Sequence, residues 1–143
     1  MFLGEYHHSF DDKYRLTVPS RFRADCASGV YVVHGFDQNL MVMTPSAFEV
    51  LYKDLMAQNI LDPDTRHLRR YILGTSVQVE IDKSGRILIP EEPRLWADLG
   101  TDVVLIGQGN YFEILTLESW NEFEKNSKKF DNERFKKLNL STQ

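Results

Sequence analysis

Short β-rich runs divide the chain into strand-sized pieces, and longer stretches between them change to an apolar spacing of three and four. Strands are predicted over 5–10, 15–18, 30–34, 40–43, 77–81 and 86–89, where β-branched and aromatic residues cluster between turn-forming ones. Pro19 and Pro90 each end a strand and open a short helix, the second stopping near Gly100. Thr44-Pro45 and Asp62-Pro63 are helix starts, a capping side chain followed by proline at the first helical position. After the first start, Phe48, Leu51, Tyr52 and Leu55 form one apolar face, expected to pack on a sheet. After the second, Leu68, Tyr71 and Ile72 form a stripe with Arg66, Arg69 and Arg70 opposite, and Gly74 is the stop. Gly107-Gln108-Gly109 lacks the Lys-Ser/Thr of a phosphate loop and reads as a tight hairpin turn.

The pattern occurs twice. Residues 10–23 read Phe-Asp-Asp-Lys-Tyr-Arg-Leu-Thr-Val-Pro-Ser-Arg-Phe-Arg and residues 81–94 read Ile-Asp-Lys-Ser-Gly-Arg-Ile-Leu-Ile-Pro-Glu-Glu-Pro-Arg. One offset (82 − 11 = 71) pairs Asp11 with Asp82, Arg15 with Arg86, Pro19 with Pro90, Arg23 with Arg94 and Gly29 with Gly100. The offset then grows by one, pairing Gly35 with Gly107, Thr44 with Thr116, and the expected core positions Phe48 with Trp120 and Leu51 with Phe123. Each unit is too small to bury its own apolar face, so the two are expected to pack about a pseudo-twofold axis into one compact, β-barrel-like α+β domain. The expected divisions are a first repeat over 1–60, a linking helix over 61–75, a second repeat over 76–124 and a charged, loosely ordered tail over 125–143 that carries Phe130, Phe135 and Leu138.

Composition narrows the function. With 143 residues, 42% hydrophobic and 27% charged, this is an ordinary globular chain, without an apolar run near the roughly 20 residues that span a bilayer. The opening residues lack the layout of a signal peptide, which points to the cytoplasm. Cys26 is the single cysteine, so CxxC metal clusters are excluded by count. His7 and His8 point to opposite faces of a strand, His34 and His67 are isolated, and nothing near Cys26 suggests a nucleophile. No metal, cofactor, small-molecule substrate or enzymatic role is therefore expected. A net charge of −4 argues against coating nucleic acid by bulk charge but permits a local basic turn to meet phosphates.

An aspartate and an arginine four apart across a turn admit two compatible readings. The carboxylates Asp11 and Asp82 can fix the turns by capping backbone N–H groups or pairing with the arginines. Arg15 and Arg86 can face outward as planar forks for phosphate or guanine. Arg66, Arg69 and Arg70 are a weaker, auxiliary basic face.

The opening Met-Phe-Leu-Gly-Glu-Tyr, the doubled D-x-x-x-R, the strand-Pro-helix after each copy and the stretch Val-Leu-Ile-Gly-Gln-Gly-Asn-Tyr-Phe-Glu-Ile-Leu over 104–115 resemble the MraZ family, from residue 1 to about 124. The resemblance implies a swapped-hairpin fold related to the AbrB/SpoVT DNA binders. It implies a nucleoid-associated transcriptional regulator, a repressor of the division and cell-wall gene cluster. Such a protein would bind short direct repeats of double-stranded DNA upstream of its own operon as a ring-shaped homo-oligomer. Carried over by position, the DNA-facing motif falls on Asp11, Lys13 and Arg15 and on Asp82 and Arg86, with Lys83 the lysine of the second turn. The family often has glycine where Tyr14 stands, as this chain does at Gly85; a positive φ there would strain Tyr14 or give the first turn another shape. The competing expectation is an assembly module whose Asp/Arg pairs are subunit-interface salt bridges.

Overall fold

The computed structural model describes residues 1–128 and 132–138. In chain order the strands are β1 (Glu5–Ser9), β2 (Arg15–Thr17), β3 (Val30–His34), β4 (Leu40–Met43), β5 (Val77–Val79), β6 (Arg86–Leu88), β7 (Asp102–Gly107) and β8 (Tyr111–Thr116). The helices are α1 (Ser20–Arg23), continued by a 3-10 turn over Ala24–Cys26, then α2 (Pro45–Ala57), α3 (Pro63–Ile72), α4 (Glu91–Trp96), α5 (Leu117–Ser127) and α6 (Asn132–Phe135). This is an α+β arrangement with antiparallel pairing throughout the named strands.

Six strands make one sheet in the order β1-β7-β8-β4-β3-β5, while β2 and β6 form a separate two-stranded ribbon. The expected barrel-like closure is absent among the described residues: the edge strands β1 and β5 do not pair with each other. The reason lies in the two cassettes. After each turn the chain leaves the sheet, so β2 pairs with β6, not with β1, in the register Arg15↔Leu88, Leu16↔Ile87, Thr17↔Arg86. Strands that would have closed the sheet cross-link its two halves instead.

The sheet has a core on each face. Val32, Leu40 and Val42 point into one, with Leu16, Phe22, Ile87, Ile89 and Phe112; Val33, Met41 and Met43 point into the other, with Ala47, Leu55 and Ile72 beneath α2 and α3. Burial on both faces explains why β3 and β4 read as continuous apolar runs. Phe2, Phe22 and Phe112 meet edge-on or tilted with ring centroids 4.9–5.4 Å apart at the centre of the first core.

Both long closing helices start on a threonine cap. Thr44 Oγ1 accepts from Ala47 N at 3.2 Å and Thr116 Oγ1 accepts from Ser119 N at 3.0 Å. Their burial differs. Phe48 of α2 stacks on Tyr31 at 4.1 Å and Leu51 packs on the second core, although Tyr52 is exposed. In α5 no residue is buried and Phe123 is 56% exposed, so the expectation of core positions at Trp120 and Phe123 is corrected. The cause is coverage: α3 packs against α2, and among the described residues only the single turn α6 follows α5. Trp120 is instead tied to the sheet edge, its Nε1 donating to Glu5 at 2.9 Å.

Strand register also shifts the pairing of the halves. Val32 lies opposite Val42 and Leu105 opposite Ile114, so the offset is 73 on β7 (105 − 32) and 72 on β8 (114 − 42). Gly35 and Gly107 are thus one residue out of step, because the second hairpin loop is one residue shorter. Helix α5 runs to Ser127, three residues into the expected tail; Phe130 and residues 139–143 lie outside the described residues.

Candidate nucleic-acid interface

Each cassette turn is built by its own aspartate. Asp11 Oδ1 accepts from Lys13 N and Arg15 N, both at 2.9 Å, and Oδ2 accepts from Arg15 Nε at 2.7 Å. Asp82 Oδ1 accepts from Ser84 N and Arg86 N, both at 2.9 Å, and Oδ2 accepts from Arg86 Nε at 3.0 Å. The main chain repeats the match, with Tyr14 N donating to Asp11 O and Gly85 N to Asp82 O. The spacing of four follows from this geometry: the carboxylate spans the turn, and only the residue re-entering the extended chain offers it both N–H and guanidinium. The backbone N–H of the arginine, joined by its guanidinium and one further N–H, holds each carboxyl below the ordinary aspartate value of 3.8. Because Nε is used inward, the Nη ends of Arg15 and Arg86 are left for other partners; Arg86 Nη1 also lies 3.9 Å from Asp11 Oδ2.

The turns are locked to each other's halves. Val18 N donates to Gly85 O at 2.8 Å and Ile89 N donates to Tyr14 O at 3.2 Å, a reciprocal pair at the ends of the ribbon. Both carbonyl-bearing residues are left-handed, Tyr14 at φ 59 and Gly85 at φ 79. The positive φ anticipated for Tyr14 is therefore present, at about 1–2 kcal/mol for a residue with a Cβ.

Two further arginines complete the site, and the sequence reading did not place them in it. Arg23 reaches across to the second turn, where a Cβ on Gly85 would come within 2.5 Å of its Nε; that Nε donates to Val18 O at 3.0 Å. Its counterpart Arg94 reaches to the first turn, where Tyr14 occupies the corresponding space, and its guanidinium carbon lies 3.6 Å over the ring centroid. Among the described residues Arg94 Nε has no hydrogen-bond partner. The sequence signal was the alignment of Arg23 with Arg94, but only the crossing of the ribbon carries each to the opposite turn.

The turns and the short helices after them bring six cations (Lys13, Arg15, Arg23, Lys83, Arg86, Arg94) together with the turn carboxylates Asp11, Asp12 and Asp82, and Glu91 and Glu92 lie on the same short helix as Arg94. Lys13 and Lys83 are exposed at the turn tips. The face Arg66/Arg69/Arg70 is divided. Arg66 Nη1 donates to Ile60 O and Leu61 O, and Arg69 donates to Leu55 O and Met56 O, so both close the α2–α3 connection while Arg70 stays exposed. Arg69 and Arg70 therefore do not project together as one basic face.

His34, His7 and Cys26 are each engaged within the fold. His34 is buried, stacked on Trp96 at 3.8 Å with Nε2 3.2 Å from the Glu92 carboxylate. His7 bonds Glu5 at 2.6 Å. Burial pushes the Cys26 thiol up to about 11, leaving it protonated and unreactive at neutral pH.

Comparison with known proteins bears on this site. The family described as "MraZ protein, putative antitoxin-like" matches residues 1–71 and again 72–139. Three curated proteins, each called "Transcriptional regulator MraZ", align over most of the chain. That of Roseiflexus castenholzii is 39% identical over 120 residues, 84% of either chain. That of Dictyoglomus turgidum is 41% identical over 125 residues, 87% of this chain and 86% of its own. That of Leuconostoc mesenteroides is 33% identical over 123 residues, 86% of either chain.

Proposed function

This chain belongs to the MraZ family, and from that premise we propose that it is a transcriptional regulator that binds double-stranded DNA through the β2–β6 ribbon and its two turns. The observation that carries the reading is the duplication of one hydrogen-bonded turn, each copy using an aspartate to present an arginine on the same small ribbon. Arg15, Arg86, Lys13 and Lys83 are the DNA contacts; Asp11 and Asp82 hold them, and Arg70 is at most auxiliary. The two halves, 1–60 and 76–124, are swapped-hairpin repeats about a pseudo-twofold axis, joined by 61–75 and followed by the tail 125–143. The DNA is a set of short direct repeats upstream of the protein's own operon in the division and cell-wall gene cluster, and the output is repression in the cytoplasm, at the nucleoid.

One ribbon offers few cations, so a ring of identical subunits on successive repeats supplies affinity by effective concentration rather than by new contacts. The test is titration of the upstream duplex against a scrambled competitor at rising salt, with the mass of the assembly measured free and bound. A specific, steeply salt-sensitive complex is expected. Arg15→Ala or Arg86→Ala should weaken it by roughly tenfold or more, within the 1–3 kcal/mol of a lost guanidinium contact, and leave the oligomer intact. Dissociation of the oligomer with unchanged DNA contacts assigns the Asp/Arg pairs to subunit assembly instead, although each pair is closed within one chain. No complex at low salt overturns the DNA-binding function.

A further inference from the structure

The ribbon is duplicated in its Asp/Arg pairs but not in its lysines or its apolar groups: at the offset of 71, Lys83 aligns with Asp12 and Ser84 with Lys13. Along β2 and β6 the alternation turns Leu16 and Ile87 inward, both fully buried, and leaves Arg15, Thr17, Arg86 and Leu88 on the outer face. Leu88 is paired with Arg15 and is 51% exposed, while its counterpart across the ribbon is Thr17, paired with Arg86. At the same end, Ile89 N bonds the carbonyl of Tyr14, a residue that is 48% exposed. The other end has Gly85 and Thr17 in the matching places. Single exposed apolar residues are common on protein surfaces, but here two stand one position apart at one end of the ribbon, Leu88 opposite Arg15, and Tyr14, in the turn, opposite Ile89. Tyr14 is retained in the left-handed region where glycine serves its counterpart, and the Arg94 guanidinium carbon lies 3.6 Å over its ring.

We infer that Tyr14 and Leu88 form an apolar contact for thymine 5-methyl groups in the major groove, with Arg94 as the positioning residue that clamps the ring. This rests on the DNA-binding reading above. A two-stranded antiparallel ribbon is of a size that the major groove admits, and the thymine methyl is the one apolar group that the base edges display there. Arg15 and Arg86, each held by its own aspartate, are shared by both ends of the ribbon and grip either end of a half-site alike. The apolar pair distinguishes the ends and gives the ribbon a direction on a non-palindromic direct repeat.

The test compares the upstream duplex with the same duplex carrying deoxyuridine for every thymine, which removes only the methyl groups. Wild-type protein should bind the uracil duplex about three- to tenfold more weakly, the loss of one or two buried methyl contacts. The variant Tyr14→Gly/Leu88→Thr copies the opposite end and should bind the two duplexes equally, whereas Tyr14→Phe should keep the discrimination. If the double variant binds too weakly to measure, Leu88→Thr alone decides, and it should narrow the difference. Equal binding of both duplexes by the wild type overturns the inference while leaving DNA binding intact, and so does undiminished discrimination in the double variant or in Leu88→Thr. Absence of any salt-sensitive complex with the thymine duplex overturns the function itself, and the inference with it.

Discussion

Tyr14 carries two opposing terms within a single side chain. Its left-handed backbone costs about 1–2 kcal/mol relative to glycine, and the Arg94 guanidinium over its ring returns about 0.5–1 kcal/mol. Tyr14→Gly should therefore leave the protein as stable as the wild type or up to about 1 kcal/mol more stable by urea unfolding; a loss beyond about 1 kcal/mol shows that the ring contributes more than its stack with Arg94. The reverse change at Gly85 has no such freedom, because any side chain there meets Arg23. Asp11 and Asp82 show a second residue-level effect. Their carboxyls are depressed in the folded protein, so their contribution is complete above the ordinary aspartate value and is lost as pH falls through the lower folded values. Wild-type stability should drop below about pH 4, and Asp11→Asn/Asp82→Asn should lose less over that range in thermal melts taken from pH 5 to pH 2. An unchanged acid limb in this variant would place the pH dependence elsewhere.

Among the elements, the α2–α3 pair shows how an arginine read as surface charge becomes structural. Helix α2 has no basic residue in its last turn, and its closing carbonyls meet Gln58 only at long range, Leu55 O accepting from Gln58 N at 3.3 Å and Asp54 O from Gln58 Nε2 at 3.4 Å. Arg69 supplies donors to Leu55 O at 3.1 Å and Met56 O at 3.3 Å, and Arg66 to Ile60 O at 2.9 Å. Arg69→Ala should cost about 1.5–3 kcal/mol, the range for hydrogen bonds to a charged group, read as a lower urea midpoint without change in slope. A variant as stable as the wild type would return Arg69 to the solvent. The helix starts are a contrasting case. Thr44, Asp62 and Thr116 each accept from a backbone N–H two or three residues ahead, an interaction wholly local in sequence, and two of the three were evident from the following proline.

At the scale of the whole molecule, β2 and β6 bind the two halves into one folding unit. Leu16 and Ile87 sit at the centre of the ribbon, fully buried in a core to which both halves contribute. A chain cut at residue 74 keeps β2 but loses its partner, exposing Leu16 and the ladder edge. Expressed alone, residues 1–74 should be either unfolded or a dimer in which two β2 strands pair, distinguished by circular dichroism and sedimentation. A folded monomer would contradict the cross-paired ribbon as the link that stabilises both halves. The same ribbon brings arginines of both halves together, Arg15 and Arg23 of the first with Arg86 and Arg94 of the second.

What the chain determines by itself is what depends on near neighbours: the doubled cassette, the Asp-to-Arg spacing that closes each turn, the threonine caps and the ends of the short strands. These contacts lie within four residues, so residue type and spacing suffice to place them. Tertiary structure alone decided that β2 leaves β1 for β6, that the sheet stays open, that Arg23 and Arg94 exchange turns, that Arg69 caps α2 while Arg66 holds the loop after it, and that Trp120 and Phe123 remain outside the core. Each of these depends on which remote segment occupies a given space, and an apolar or basic residue looks the same in sequence whichever segment it meets. The difference between the two turns joins both levels. Tyr14 against Gly85 is visible in the letters, but its effect on Arg94 exists only because the ribbon brings residues 14 and 94 together.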